Sequence, residues 1–202
     1  MAIRAVIVDI GGVLEYTPAR SAWQEDWAVR LGLTGAQMVA RLGPLAAAGN
    51  VGAITLAEFE RRFAAEFDLD EAALAAFMAE LWAEYLGTLN AELAAWFGAL
   101  RPRYKTGILS NSFVGARERE QAAYGFEDLC DVIVYSHEEG LEKPDPRFYR
   151  IVTGALGVEP EEALFLDDWP VAVDGARAVG MRAVLFEDNE QAIAEMEACL
   201  RG

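Results

Sequence analysis

Val6-Ile7-Val8-Asp9-Ile10-Gly11-Gly12-Val13 is the stretch that decides how the rest of the chain is read. Three β-branched residues in a row, with nothing polar among them, predict a short strand buried on both faces. The run ends in one carboxylate, and two glycines follow where the backbone must turn. Open α/β sheets place their ligands outside the carboxyl ends of the strands, which puts Asp9 at the chemically useful edge. Two readings of Asp9 stand at this point. It is a turn residue closing a strand, or it is a nucleophile or metal ligand.

Four further apolar runs repeat the pattern, and each leads into a polar group. Thr106-Gly107-Ile108-Leu109 precedes Ser110-Asn111-Ser112, and Val132-Ile133-Val134-Tyr135 precedes Ser136. Ala163-Leu164-Phe165-Leu166 precedes Asp167-Asp168, and Arg182-Ala183-Val184-Leu185-Phe186 precedes Glu187-Asp188. Amphipathic periodicity predicts helices over about 91–101, 114–124, 146–156, 171–179 and 189–200. Alternating strands and helices predict a parallel sheet with helices on both faces, its polar strand ends converging on one edge.

Residues from about 16 to 88 break this alternation. Thr55-Leu56-Ala57-Glu58 predicts a capping box ahead of Phe59, Phe63 and Phe67 at helical spacing. Leu74, Phe77, Met78, Leu81, Trp82 and Tyr85 mark a second amphipathic helix over 70–86, and Gly49-Asn50-Val51-Gly52 reads as a loop. The segment is therefore a helical cap inserted after the first strand. Most of its aromatic residues belong to a core rather than to a ligand site.

Composition bounds the function. The 202 residues, 53% of them hydrophobic, suffice for one large domain or one with an inserted smaller one. A net charge of −16 argues against a nucleic-acid partner, and an anionic substrate then needs a cation or a local basic group. No apolar run approaches the length of a membrane span, and no basic leader precedes the first strand, so a cytoplasmic protein is expected. Cys130 and Cys199 are isolated and predict neither a disulfide framework nor a zinc site. His137, the single histidine, receives no role, Arg117 and Arg119 are expected on the surface, and Trp169 either walls the site or packs on the following helix.

The strand ends collect Asp9, Ser110-Asn111, Lys143 and Asp167-Asp168. These types suit phosphoryl chemistry: a carboxylate attacks phosphorus, a hydroxyl and an amide hold oxygens, a lysine neutralises charge, and further carboxylates take Mg²⁺.

In this order and context the chain resembles the haloacid dehalogenase-like (HAD) hydrolases over essentially its whole length. The resemblance is carried by Val8-Asp9-Ile10-Gly11-Gly12-Val13-Leu14, by Ile108-Leu109-Ser110-Asn111-Ser112, by Gly140-Leu141-Glu142-Lys143-Pro144-Asp145-Pro146-Arg147-Phe148-Tyr149, and by Leu164-Phe165-Leu166-Asp167-Asp168 with Gly175-Ala176-Arg177 and Gly180-Met181 behind it. The wording is closest to the branch holding the phosphatase domain of soluble epoxide hydrolase and bacterial sugar-phosphate phosphatases. It implies a Rossmann-like core over 1–15 and 88–202 with a helical cap over 16–87, and Mg²⁺-dependent hydrolysis of a small phosphorylated metabolite through an aspartyl-phosphate by a monomer or homodimer.

The resemblance also implies the roles. Asp9 is the nucleophile and a Mg²⁺ ligand, and Gly11 offers the metal its backbone carbonyl. Ser110, Asn111 and Gly12 bind phosphoryl oxygens, Lys143 holds nucleophile and phosphate together, and Asp168 with Asp167 binds the metal. Tyr16, Trp23, Trp27 and Tyr85 of the cap are candidates for substrate choice.

Two departures matter. Gly11 stands where most such phosphatases carry a second Asp as general acid/base, and Glu15 is the substitute acid nearest in sequence. Ala172 stands where relatives often have Asn, which removes one supporting hydrogen bond. Two rival readings follow. A metal-independent dehalogenase is favoured by Gly11 and disfavoured by Asp167-Asp168; a degenerate member binds a phosphorylated ligand or a protein partner without turnover.

Overall fold

A computed structural model describes residues 2–16 and 23–202. All five apolar runs are strands of one parallel sheet: β1 (Ala5–Val8), β4 (Lys105–Ser110), β5 (Val132–Tyr135), β6 (Ala163–Asp167) and β7 (Arg182–Leu185), in the order β5-β4-β1-β6-β7. The intervening β2 (Glu15–Tyr16) and β3 (Thr88–Leu89) form a separate antiparallel pair. β1 is central and wholly buried, as its unbroken apolar run requires. The chain leaves β1 for β4 and β5 on one side and then crosses to β6 and β7 on the other. The order therefore reverses at β1, the place where open sheets open a crevice. Val8 lies opposite Ile108 and Leu166, so the residues after these three strands leave the sheet side by side.

The helices, in chain order, are α1 (Trp23–Arg30), α2 (Gly35–Asn50), α3 (Leu56–Phe67), α4 (Glu71–Leu86), α5 (Ala91–Ala99), α6 (Ala116–Tyr124), α7 (Phe126–Leu129), α8 (Ser136–Glu139), α9 (Pro146–Leu156), α10 (Pro170–Ala178) and α11 (Asn189–Arg201). The two-residue period of β1 sorts its side chains between the faces. Ala5 and Ile7 pack with Phe148, Tyr149 and Val152 of α9 and Ala172 and Ala176 of α10. Val6 and Val8 pack with Leu93 and Phe97 of α5 and Ala192 and Met196 of α11. Among the described residues, no helix is long and apolar enough to cross a membrane.

Helices α1–α4 form the insertion and bury their own aromatic cluster, in which Phe63 and Phe77 stack at 4.0 Å between centroids. The cluster continues into Phe113, Val114 and Ala116 beyond β4, with Phe59 edge-on to Phe113 at 4.9 Å. The β2–β3 pair draws the two ends of the insertion together. Asn90 fixes that junction: its buried amide donates to the Val13 carbonyl at 2.8 Å and to Asn189 at 2.7 Å.

Two local expectations change. Thr55 caps α3 by accepting the Glu58 N–H at 3.2 Å, but the return half of the box is missing because Glu58 pairs instead with Arg61 and Arg62. A complete capping box forms at Thr34 and Gln37. Gly49 and Asn50, expected in a loop, are the last turn of α2. Gly49 is there for closeness rather than for a turn, since a Cβ on it would lie 2.2 Å from the Phe113 ring.

One buried acid lies away from the strand-end cluster. Glu120 on α6 is 3% exposed and accepts the Tyr135 hydroxyl at 2.5 Å. Burial pushes its pKa up to about 7, the Tyr135 bond opposing and the charge of Glu15 adding to the rise. A folded pKa above the unfolded one means stability is full below the ordinary Glu range and is lost as pH rises through about 7. The loss is on the order of 3 kcal/mol at most. Glu120→Gln should therefore be more stable than the parent in urea at pH 8, with most of that gain gone at pH 5. An equal gain at both values would show that the Glu120 charge is not what the fold resists.

Candidate active site

The carboxyl edge of the sheet brings Asp9, Asp167 and Lys143 together. Asp9 follows β1 and donates its N–H to the Leu166 carbonyl at 2.9 Å, so register alone sets it beside Asp167. Lys143 arrives from the segment between α8 and α9. Its main chain is gripped by the Asn111 carboxamide, which accepts the Lys143 N–H at 2.8 Å and donates to the Lys143 carbonyl at 3.2 Å. The ammonium then lies 2.8 Å from Asp9 Oδ1 and 2.7 Å from Asp167 Oδ2. Asp9 is 8% exposed, Lys143 3% and Asp167 fully buried, so this ion triad is almost dry.

Its charges do not balance. Burial raises the Asp9 pKa, as does Asp167, while Lys143 pulls it back. Burial alone would lower Lys143, but the two carboxylates overcome it and hold the ammonium firmly protonated. Asp168, exposed beside them, is raised by partial burial and by Asp167. Asp9, Asp167 and Asp168 each offer an oxygen within 4.8 Å of the others. An all-oxygen carboxylate set with negative charge to spare is the donor chemistry of a hard dication such as Mg²⁺. Asp167 has committed one oxygen to Lys143 and the other to the Trp169 N–H at 2.8 Å, and of the three carboxylates Asp168 is the exposed one.

The glycines make room for this set. Gly12 has φ +75°, and a Cβ there would lie 2.2 Å from Asp168 Oδ2. Any side chain at 12 would therefore be strained and would displace the carboxylate. A Cβ on Gly11 would instead lie 3.9 Å from Glu15 Oε1. Glu15 is 3% exposed, so a buried carboxylate borders the position where the general acid was expected.

Ser110 ends β4, 2% exposed, with its hydroxyl 3.4 Å from the Asn111 carbonyl. The Asn111 side chain is occupied by Lys143. Its Oδ1 and one Nδ2 hydrogen are engaged by the Lys143 main chain, so its side chain positions the lysine.

A second network was not expected from sequence. The Ser112 N–H donates to Ser136 Oγ at 2.8 Å, Ser136 Oγ donates to the Asn50 carbonyl at 2.7 Å, and Ser112 Oγ meets His137 Nδ1 at 2.7 Å. Burial lowers the His137 pKa and favours the neutral ring. This network ties α2 of the insertion to the loop after β4.

Other expectations resolve individually. Arg117 pairs with Glu127 and Glu138, and Arg119 lies over Trp82 at 3.9 Å, both away from the carboxylates. Trp169 is 43% exposed. Ala172 lends its carbonyl to the Tyr149 hydroxyl at 2.7 Å. Trp23 and Tyr85 line a cavity, whereas Trp27 is buried in the insertion with its indole N–H on Glu80 at 2.7 Å and Tyr16 is 47% exposed on β2.

A family model for haloacid dehalogenase-like hydrolases matches residues 3–180. A Mycobacterium tuberculosis phosphatase is 43% identical over 95 residues, covering 46% of this chain and 43% of that one. The rat bifunctional epoxide hydrolase 2 is 36% identical over 115 residues, covering 54% of this chain and 21% of that one. The chain thus spans less than half the length of either relative. A Bacteroides thetaiotaomicron HAD family enzyme, solved with magnesium and inorganic phosphate, superimposes with a TM-score of 0.79 at 19% identity over 95% of this chain and 99% of that one.

The ion triad generates a stability prediction. Lys143→Met leaves two buried carboxylates uncompensated and should cost about 3–5 kcal/mol in urea denaturation without divalent cations. Excess Mg²⁺, or the second change Asp167→Asn, should restore much of it. A cost under about 1 kcal/mol would mean the triad is not the electrostatic keystone described.

Proposed function

The chain belongs to the haloacid dehalogenase-like hydrolases, and from that premise we propose that it hydrolyses small phosphomonoesters with Mg²⁺ through an aspartyl-phosphate on Asp9. The observation that carries this reading is the buried Asp9–Lys143–Asp167 triad with Asp168 at its mouth.

A free Asp9 oxygen attacks phosphorus, a new P–O bond forms, and the bond to the leaving alcohol breaks as the alkoxide takes a proton. Water then attacks the phosphorus of the acyl phosphate, returning the carboxylate and releasing inorganic phosphate. Lys143 holds Asp9 in place and opposes the negative charge that gathers as the phosphate approaches. Ser110 and the backbone N–H groups at Asn111 and Gly12 orient the phosphoryl oxygens. Asp9, Asp168, the Gly11 carbonyl and, less directly, Asp167 would hold Mg²⁺, which when bound neutralises charge on the phosphoryl oxygens. Glu15, beside Gly11, is our candidate to donate the leaving-group proton. The insertion, placed at 16–87 as a cap, excludes water from the first step.

The same cluster speaks against a metal-independent dehalogenase. A haloacid brings its own carboxylate to a site already carrying excess negative charge, and halide displacement has no use for a dication.

A panel of phosphomonoesters, assayed for phosphate release with and without Mg²⁺ and beside a 2-chloropropionate control, tests the reading. Mg²⁺-dependent phosphate release is expected, and Asp9→Asn should lower it by roughly 10³-fold or more. Full activity in that variant, or chloride release without metal, overturns the proposal. Glu15→Gln should cost roughly 10²-fold on alkyl phosphates and far less on 4-nitrophenyl phosphate, whose leaving group needs no proton. An equal loss on both ester types would remove Glu15 from the acid role.

A further inference from the structure

A partly open cavity of about 380 Å³ lies against the insertion, its walls including Trp23, Leu42, Ala46, Tyr85 and Phe113, with Gln24, Asn50 and Glu84 as its polar side chains. The volume is that of a small-ligand site, and its walls are chiefly apolar and aromatic.

This cavity adjoins the strand-end cluster rather than standing apart from it. Phe113 lies two residues beyond Asn111, and its N–H donates to the Tyr85 hydroxyl at 3.3 Å. Asn50 is joined through Ser136 to the N–H of Ser112. Cavity wall and phosphoryl-binding loop are thus one hydrogen-bonded unit. Burial and Glu120 do most to keep the Tyr85 phenol protonated, with Asp9 among the smaller contributors.

Resting on the phosphatase reading, we propose that this cavity receives the leaving alcohol, and that the preferred substrates are phosphomonoesters of apolar, ring-bearing alcohols rather than sugar phosphates. A ring entering it buries its faces against Trp23, Tyr85 and Phe113, with the Asn50 amide available to one neutral polar group. A polyol would meet only the polar side chains of Gln24, Asn50 and Glu84 there and would place its remaining hydroxyls against aromatic carbon, which costs free energy for each one left unsatisfied. Selectivity then comes from the insertion, while the sheet edge handles only the phosphate.

The test compares 2-phenylethyl phosphate with glucose 6-phosphate. Both lose a primary alkoxide, so intrinsic reactivity is nearly matched. kcat/KM with Mg²⁺ should favour the phenylethyl ester by at least about tenfold. Ala46→Phe, which fills the cavity, and Leu42→Ser, which makes it polar, should each reduce that ratio by about tenfold. Thermal melting verifies that both variants fold. In parallel, 2-phenylethanol titrated against tryptophan fluorescence should bind the parent and lose affinity in Ala46→Phe. Turnover of both esters with equal kcat/KM, or a ratio untouched by either variant, overturns the cavity assignment and leaves the phosphatase reading standing. Turnover of neither ester overturns the leaving-group role, and if the phosphomonoester panel also releases no phosphate the phosphatase reading falls with it. Binding of 2-phenylethanol that Ala46→Phe abolishes would then still mark the cavity as a site for ring-bearing apolar ligands.

Discussion

One ammonium group held between two buried carboxylates constrains everything around it. Lys143 is nearly dry, and a lone charge in such a place would not stay ionised. It does so because β1 and β6 are in register, which sets Asp9 and Asp167 on either side of it. The register follows from two apolar runs that cannot slip by a residue without turning core side chains out of the core. Asn111 then supplies what the strands cannot, a fixed path for the main chain that carries the lysine. Sheet register, loop anchor and charge triad depend on one another, and removing any one strands the other two.

The triad is also unfinished. One positive charge faces two negative ones, and Asp168 adds a third at the mouth. In an acidic protein of net charge −16, nothing distant offsets this excess. The all-oxygen set suits a small hard cation, and on the proposed reading a phosphate approaches once one is bound. Gly12 belongs to the same logic, because the Asp168 carboxylate sits where a side chain would be.

Much of this was legible in the sequence because it is local. Apolar runs ending in polar residues mark strands and strand ends within a few positions, and Asp9, Ser110, Lys143 and Asp167-Asp168 stand in order along the chain. The features that escaped were contacts between distant segments. Ser112 and His137 are 25 residues apart and meet only because β4 and β5 are neighbours. Gly49 looked like a turn residue, yet its lack of a side chain serves Phe113, which arrives from the far side of the insertion. Glu58 satisfied a capping pattern but had two arginines within reach on its own helix, and the ion pairs won. The grip of the Asn111 side chain on the backbone of Lys143, 32 residues on, is likewise a contact that no local pattern announces.

These outcomes suggest a division of labour between the two halves of the molecule. The sheet edge is charged and preorganised, and on the proposed reading it takes only the phosphate. The insertion contributes no member of the carboxylate–lysine cluster. It supplies aromatic walls, and by packing Phe59 and Tyr85 onto Phe113 it joins those walls to the loop that follows Ser110. Excluding water there lowers the local dielectric and strengthens every Coulomb interaction around Lys143. An apolar neighbour is thus the right complement to an over-charged cluster. It sharpens the electrostatics without competing for the cation, and it leaves the choice of substrate to side chains that can vary without disturbing the triad.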